Sequence, residues 1–303
     1  MAETRVQQDA AAGGPSNVAT RSRRQDFLRV FFSNRLAVFG TAVISLFILM
    51  AVFAPLIAPY DPLQQDLVNK FAGPSREHLM GQDELGRDIL SRVIYGARIS
   101  LTAGLAAVGI ATALGTLVGL VAGFFGGWAD STLMRLMDIL LAFPSILLAI
   151  VIVSILGPSL ANAMLAIGIV FVPQIARVVR SSVISVRERD YIEAERALGA
   201  GNAQIILSGV LPNSMAPLIV QATLTLATAI LDVAALSFLG LGARAPSPEW
   251  GAMLTDAFRA GYGVFQQGQH AIIFPGIAIA LSVLAVNFIG DGLRDALDPR
   301  RRR

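Results

Sequence analysis

Residues 139–176 read ILLAFPSILLAIVIVSILGPSLANAMLAIGIVFVPQIA, thirty-eight positions without an Asp, Glu, Lys or Arg. At about 1.5 Å per residue, one helix of that length would be nearly twice the ~30 Å apolar core of a bilayer. Gly157-Pro158 falls in its middle. Proline ends a helix because it lacks an N–H and its ring meets the preceding turn. The stretch therefore reads as two membrane spans, near 137–156 and 159–177, joined by a tight turn. Outward from it, Leu36–Tyr60, Ile99–Ala129 and Ala271–Gly290 are also free of charge, and Ser214–Phe238 is interrupted only by Asp232. These give spans near 36–58, 99–126, 214–238 and 271–290, and the expected fold is an all-α membrane protein with six transmembrane helices.

Composition agrees. Of 303 residues, 54% are hydrophobic and 15% charged, against roughly 25% charged in an average soluble domain. The mean hydropathy is +0.64. Such a chain has too little charge to cover a soluble surface or to stay disordered. It has no cysteine, and its two histidines, His78 and His270, lie far apart in outer loops. Disulfides, thiolate chemistry and a histidine-rich metal site are excluded. Basic residues set the orientation. With the N-terminus cytoplasmic, the opposite side holds only Lys70, Arg76, Arg87, Arg92, Arg98, Arg244 and Arg259. An even number of spans then leaves both termini cytoplasmic.

Residues 1–20 are polar and Ala/Gly-rich and read as a disordered tail without a cleavable signal. Arg24–Arg35 sets Phe27, Leu28, Phe31 and Phe32 among charges, as an amphipathic elbow helix on the membrane would. The expected organisation is a tail and elbow over 1–35, a transmembrane domain over 36–299, and a basic tail over 300–303. Between the first two spans, Leu85–Arg98 has helical apolar spacing and predicts an amphipathic helix on the outer surface. In the segment Pro246–Trp250, Trp250 reads equally as an interface anchor or as a contact for a partner protein.

The longest connection on the basic side, residues 186–212, reads VRERDYIEAERALGAGNAQIILSGVLP. Asp190–Leu198 can form a short helix, Gly199 suits a left-handed C-cap, Asn202–Gly209 can form a second helix, and Pro212 can open the next span. The pattern Glu193-Ala194, Gly199 and Leu211-Pro212 resembles the cytoplasmic loop of permease subunits of bacterial ATP-binding-cassette importers. Glu195 stands where that pattern has a second Ala, and Gly209 where many members have Ile. The segments PYDP (59–62), HLMGQDELGRDILSRVIYGARISL (78–101), ILDVAALSFLGLGARAPSPEWGAML (230–254) and GDGLRDALDP (290–299) resemble the dipeptide/oligopeptide/nickel group, most of all its dipeptide C-type subunits.

That resemblance implies a type I importer permease fold in the bacterial inner membrane. Its implied partners are a homologous permease subunit, two ATPase subunits that bind ATP and Mg, membrane lipid, and an extracytoplasmic peptide-binding protein. The implied activity is alternating-access transport of dipeptides or short peptides, with glutathione, nickel or longer peptides as the alternative cargo. Tyr191, Ile192, Glu193, Ala194, Glu195, Ala197, Leu198, Gly199, Leu211 and Pro212 are the implied ATPase-coupling residues. The residues themselves exclude a Walker loop: the single lysine, Lys70, lies in Asn69-Lys70-Phe71, so this chain binds no ATP of its own. No nucleophile–histidine pair, bound cofactor, metal site or nucleic-acid module is expected, so the chain reads as no enzyme. A stand-alone secondary transporter is the distant alternative.

Asp232 is the one acid well inside a span. An ionisable group there is costly and is a functional candidate: Asp232, with Gln221 and Asn287, is expected to line the translocation path and meet the ammonium of a passing peptide, or else Asp232 is a structural partner for Gln221, Asn287 or a backbone group. Ala103, Ala107, Ala111, Gly115, Gly119, Gly123 and Gly127 form a stripe of small residues. It suits close helix packing within the subunit or against a second one. Arg135 and Asp138, at the cytoplasmic entry of the third span, are expected as a surface or interface charge pair, with contact to an ATPase as the alternative, and Arg294, Asp295 and Asp298, at the end of the sixth, are expected to brace the same cytoplasmic face.

Overall fold

The computed structural model describes residues 23–261 and 267–297; the expected tails at 1–20 and 300–303, and Asp298, lie outside the described residues. Among the described residues the regular elements are helices, α1 Arg23–Ser33, α2 Arg35–Ile57, α3 Ile89–Phe125, α4 Gly127–Leu141, α5 Ser145–Leu156, α6 Leu160–Arg187, α7 Asp190–Ala197, α8 Asn202–Phe238, α9 Trp250–Arg259 and α10 His270–Leu297, with longer irregular connections over 58–88 and 239–249. Among the described residues, α2, α3, α6, α8 and α10 are each long and apolar enough to cross a membrane.

The third expected span, near 137–156, is broken. α4 and α5 meet at 91° across residues 142–144. Pro144 supplies no N–H and disfavours helical geometry at Phe143 before it. A scan for charge-free length finds an apolar run there but is blind to the bend. At the other end of α5 the helix does stop at Gly157, with φ 90. Ser159 Oγ accepts from Asn162 N at 3.1 Å, and Asn162 Nδ2 donates to the carbonyls of Leu156 at 3.0 Å and Gly157 at 2.7 Å. The turn into α6 is thus closed by side chains at both ends.

The expected surface helix over Leu85–Arg98 is not separate. α3 starts at Ile89, capped by Asp88, and runs unbroken for 37 residues. That is about 55 Å, so its first turns stand beyond an apolar core of ~30 Å. No Pro stands within Ile89–Phe125 to stop the helix. Charge marks where the membrane ends, not where the helix does.

α3 packs most closely on α6, and the small-residue stripe is the reason. A Cβ on Gly115 would lie 2.6 Å from Ile175 Cβ, on Gly119 2.6 Å from the Ala176 carbonyl, and on Gly123 2.9 Å from the Arg180 carbonyl. The stripe therefore seats a helix of the same chain, which corrects the alternative of a second subunit there. Gly127 is not part of it, since α3 ends at Phe125 and nothing lies near a Cβ at 127. One apolar core joins α3, α5, α6 and α8; another joins α2, α3, α8, α9 and α10. α1 turns Phe31 inward against α10, where a Cβ on Gly292 would lie 3.1 Å from its ring, and leaves Leu28 and Phe32 exposed.

Candidate coupling surface and the opposite end of the bundle

α7 protrudes from the end of the bundle where α3, α6 and α10 finish. Asp190 and Glu193 in its first turn and Arg196 in its last suit the helix dipole. Its termination is a double-bonded C-cap: Gly199 N donates to the Arg196 carbonyl at 3.0 Å, and Ala200 N to the Glu195 carbonyl at 3.1 Å. Gly199 has φ 88, and a Cβ there would meet nothing. Backbone conformation, not space, calls for glycine. Ile192 is fully buried and joins Val183, Val186, Ile205 and Val210 in the first core. The opposite face is bare: Leu198 is 88% exposed and Tyr191 39%, with Glu193, Ala194, Ala197 and Gly199 exposed beside them. The result is a knob whose exposed surface combines apolar side chains with charges of both signs.

Residues 202–209 are helical but not separate: they run without a break into the long span, whose regular α-helical part, Leu211–Phe238, carries Pro212 in its first turn. α8 begins at Asn202 and continues through a π-helical stretch, Ile205–Val210, into the long span. Pro212 removes one backbone donor, and the wider turn before it absorbs the mismatch. Asn213 Nδ2 donates to the Gly209 carbonyl at 2.7 Å. Leu211 is half-buried and Pro212 exposed. A Cβ on Gly209 would lie 2.6 Å from Ile192 Cδ1 and 3.2 Å from Glu195 Oε2. Glu195 is half-buried, and its Oε2 is buried without a hydrogen bond among the described residues. The two departures from the resembled pattern, a larger residue at 195 and a smaller one at 209, thus face each other. One makes room for the other.

The helix that carries the knob is clamped. Arg187 Nη1 donates to the carbonyls of Gly123 at 3.0 Å and Phe124 at 2.9 Å, capping α3. Arg180 grips Asp130 of α4 with two bonds, at 2.5 and 2.6 Å. Arg177 Nη2 bonds Asp138 at 2.5 Å, so the expected Arg135–Asp138 pair is not formed. The Arg177–Asp138 pair is exposed and adds little stability; the bidentate grip and the cap hold the geometry. Their signal was in the sequence, since 177, 180 and 187 fall on one helical face.

Asp232, Gln221 and Asn287 do not meet. Gln221 Nε2 donates to Thr225 Oγ1 at 3.3 Å on its own helix. Asp232 is half-buried, and its Oδ2 is buried without a hydrogen-bond partner among the described residues. Asn287 sits half-buried on α10, and no hydrogen bond joins it to either. A buried carboxylate oxygen without a donor costs free energy.

The far end holds a network that residue spacing does not announce. Arg87 and Arg92, read as outer-loop charges, are each 1% exposed. Arg87 Nε donates to Asp83 Oδ2 at 2.6 Å and Nη2 to Glu84 Oε1, with Asp256 Oδ2 at 3.4 Å. Arg92 lies 3.4 Å from Asp83 and 3.7 Å from Asp256, and reaches the Pro62 and Pro246 carbonyls. Burial and the neighbouring Asp83 push the Glu84 carboxyl above its usual range, against the pull of Arg87. Trp250 is neither an interface anchor nor a partner contact. It is fully buried, and Nε1 donates to the Val93 carbonyl at 3.0 Å. Glu249 caps α9 by accepting from Gly251 N at 3.0 Å and Ala252 N at 2.8 Å, and burial raises its pKa despite those bonds. The histidines serve this end too: His78 Nδ1 lies 2.9 Å from Asp88 Oδ1, and His270 Nε2 2.9 Å from the Gln82 carbonyl.

Sequence comparisons extend these observations. The profile of the family described as binding-protein-dependent transport system inner membrane component matches residues 115–303. That of the N-terminal TM domain of oligopeptide transport permease C matches residues 22–74. The chain is 54% identical, over 89% of its length and 87% of the relative's, to a dipeptide transport system permease protein of Alkalihalophilus pseudofirmus. It is 43% identical to that of Haemophilus influenzae, over 95% and 99% of the two lengths. It is 46% identical, over 92% and 91%, to a glutathione transport system permease protein of Escherichia coli. Among solved structures, the inward-facing MetNI methionine ABC transporter superposes with a TM-score of 0.55 at 22% identity, covering 69% of this chain and 98% of that one. That likeness concerns the fold.

Proposed function

Because the chain belongs to the binding-protein-dependent transport system inner membrane component family, we propose that it is the membrane permease subunit of an ATP-driven importer of short peptides. It is a multi-pass inner-membrane protein. Its relatives, named as dipeptide, di/tripeptide and glutathione transport permeases, support the cargo class. The α4–α5 pair counts as one bent span, the third along the chain, which makes six; both termini are cytoplasmic, and the knob projects into the cytoplasm. A homologous permease subunit completes the pathway. Two ATPase subunits supply the energy, and an extracytoplasmic binding protein delivers the peptide.

The observation that carries this reading is the knob. Its tip presents Leu198, Tyr191, Ala194 and Ala197 without cover, while Ile192 roots it in the core. Exposed apolar side chains on a rigid protrusion mark a contact surface. In the assembly the ATPase subunits cover it. ATP-driven closure displaces the knob, and α6, bound to α3 and α4 through Arg180 and Arg187, carries the displacement to the far end as a rigid-body motion. The pathway then opens outward, takes peptide from the binding protein, and resets on hydrolysis. The bare Oδ2 of Asp232 waits for a donor from the partner subunit or from a passing peptide ammonium.

Uptake of a labelled dipeptide into proteoliposomes holding the full assembly tests this. ATP-dependent uptake that unlabelled dipeptides suppress and glutathione or nickel leave unchanged is the expected result. Uptake of glutathione or nickel in its place would replace the cargo, and uptake without ATP would remove the chain from this mechanism.

A further inference from the structure

The end of the bundle opposite the knob has a polar cavity that coupling does not use. It lies between the C-terminus of α8, the turn at Gly240 and α9, and measures about 310 Å³. Ser237, Gly240, Arg244, Thr255, Asp256 and Arg259 line it. Most of these polar groups are already engaged. Thr255 Oγ1 donates toward the carbonyls of Ser237, Phe238 and Gly251 at 2.9–3.1 Å, and Ser237 Oγ accepts from Ala243 N at 3.1 Å. Asp256 turns Oδ2 toward Arg87 at 3.4 Å and Arg92 at 3.7 Å.

The two arginines of the cavity are different. Among the described residues, Arg244 and Arg259 form no ion pair and donate no hydrogen bond. The neighbouring residues 262–266 contain no acid. The Arg259 guanidinium lies over the Gly240 turn, 3.0 Å from where a Cβ would stand. Arg244 and Arg259, both exposed and without an acceptor among the described residues, therefore line one concave site. Each is a planar fork that fits a carboxylate with two parallel bonds. The Asp256 carboxylate on the same wall opposes a doubly charged anion such as phosphate and tolerates a singly charged one.

We propose that this cavity is a carboxylate site on the face where cargo arrives, and that it receives the C-terminal carboxylate of the peptide as the binding protein releases it. The inference rests on the peptide reading above and names what selects the peptide at the mouth. A concave site of this size suits the end of a small molecule more than a flat protein face.

The test uses the full assembly with its binding protein in proteoliposomes. Uptake of one dipeptide and of its C-terminal amide is compared, each at a concentration that saturates the binding protein. Arg244→Gln/Arg259→Gln is expected to lower uptake of the free acid about tenfold or more, since a bond to a charged group contributes about that much, and to leave the amide within about twofold. Arg244→Gln alone, on an exposed side chain, is expected to shift the ratio in the same direction, and Arg244→Lys/Arg259→Lys to recover most of the acid uptake. Equal slowing of acid and amide would make the arginines a docking contact for the binding protein and overturn the proposal, as would no change in either. A wild-type assembly that imports no dipeptide at all overturns the peptide reading and this site with it.

Discussion

Leu198→Asp is expected to cut ATP-dependent uptake about thirtyfold or more while the permease still folds and inserts. The side chain is 88% exposed, so its replacement removes no packing within this chain, and surface changes of that kind cost little stability. What it changes is the tip of the knob. A buried apolar anchor at the centre of an interface is commonly worth 2 kcal/mol or more when truncated, which is about thirtyfold in an equilibrium constant. A charge in the same place adds a desolvation cost. The purified complex should therefore lose its ATPase subunits, with the helix content of the permease unchanged. Ile192→Asp provides the contrast. Ile192 is fully buried against Gly209 and the core, and the same charge there should unfold the knob itself. Undiminished uptake and retained ATPases in Leu198→Asp would remove α7 from the coupling surface.

The second large effect belongs to the far end. Arg87→Ala leaves Asp83 and Glu84 without the guanidinium that bonds them both. Removing one partner of a buried ion pair typically costs about 3–5 kcal/mol, because the remaining charge stays buried and uncompensated. The loss should depend on pH. In the wild type the folded Glu84 carboxyl already titrates above its usual range, chiefly through burial and then through Asp83, with Arg87 pulling the other way. A folded pKa raised above the unfolded one means that the folded state holds the extra proton. Its contribution is complete below the unfolded pKa and fades as pH rises through the folded one. Without Arg87 the downward pull is gone, the folded pKa rises further, and acid restores part of the lost stability. Thermal unfolding of the detergent-purified variant should show a larger deficit at pH 8 than at pH 5. Equal deficits at the two values would mean that the guanidinium acts by packing alone.

Much of this architecture was legible as strings of residues. Apolar length located α2, α6, α8 and α10, because a bilayer imposes one length scale on every span. The small-residue stripe marked the α3–α6 contact, because close helix approach in lipid needs small side chains. Gly199 was legible for a local reason, since a left-handed C-cap excludes most other residues. What failed to show was whatever depends on residues distant in sequence. Arg87 and Arg92 look like solvated outer charges until Asp256, some 170 positions away, closes over them. Trp250 looks like an interface residue until the Val93 carbonyl takes its indole proton. The 91° bend between α4 and α5 was hidden because hydropathy counts apolar residues and ignores direction. Glu195 and Gly209 each looked like an isolated departure, and their mutual fit is visible only where α7 lies against the π-helical stretch of α8.

The chain contains no cysteine, so a single introduced thiol reports one position without background. Ala197 is exposed at the tip of the knob, beside Gly199. With Ala197→Cys in the assembled transporter, a membrane-impermeant maleimide should label the thiol from the cytoplasmic side in the permease alone, and the ATPase subunits should protect it. A short bifunctional reagent should join it to an ATPase subunit. Labelling from the outer side, or equal labelling with and without the ATPases, would contradict a cytoplasmic knob seated on the motor.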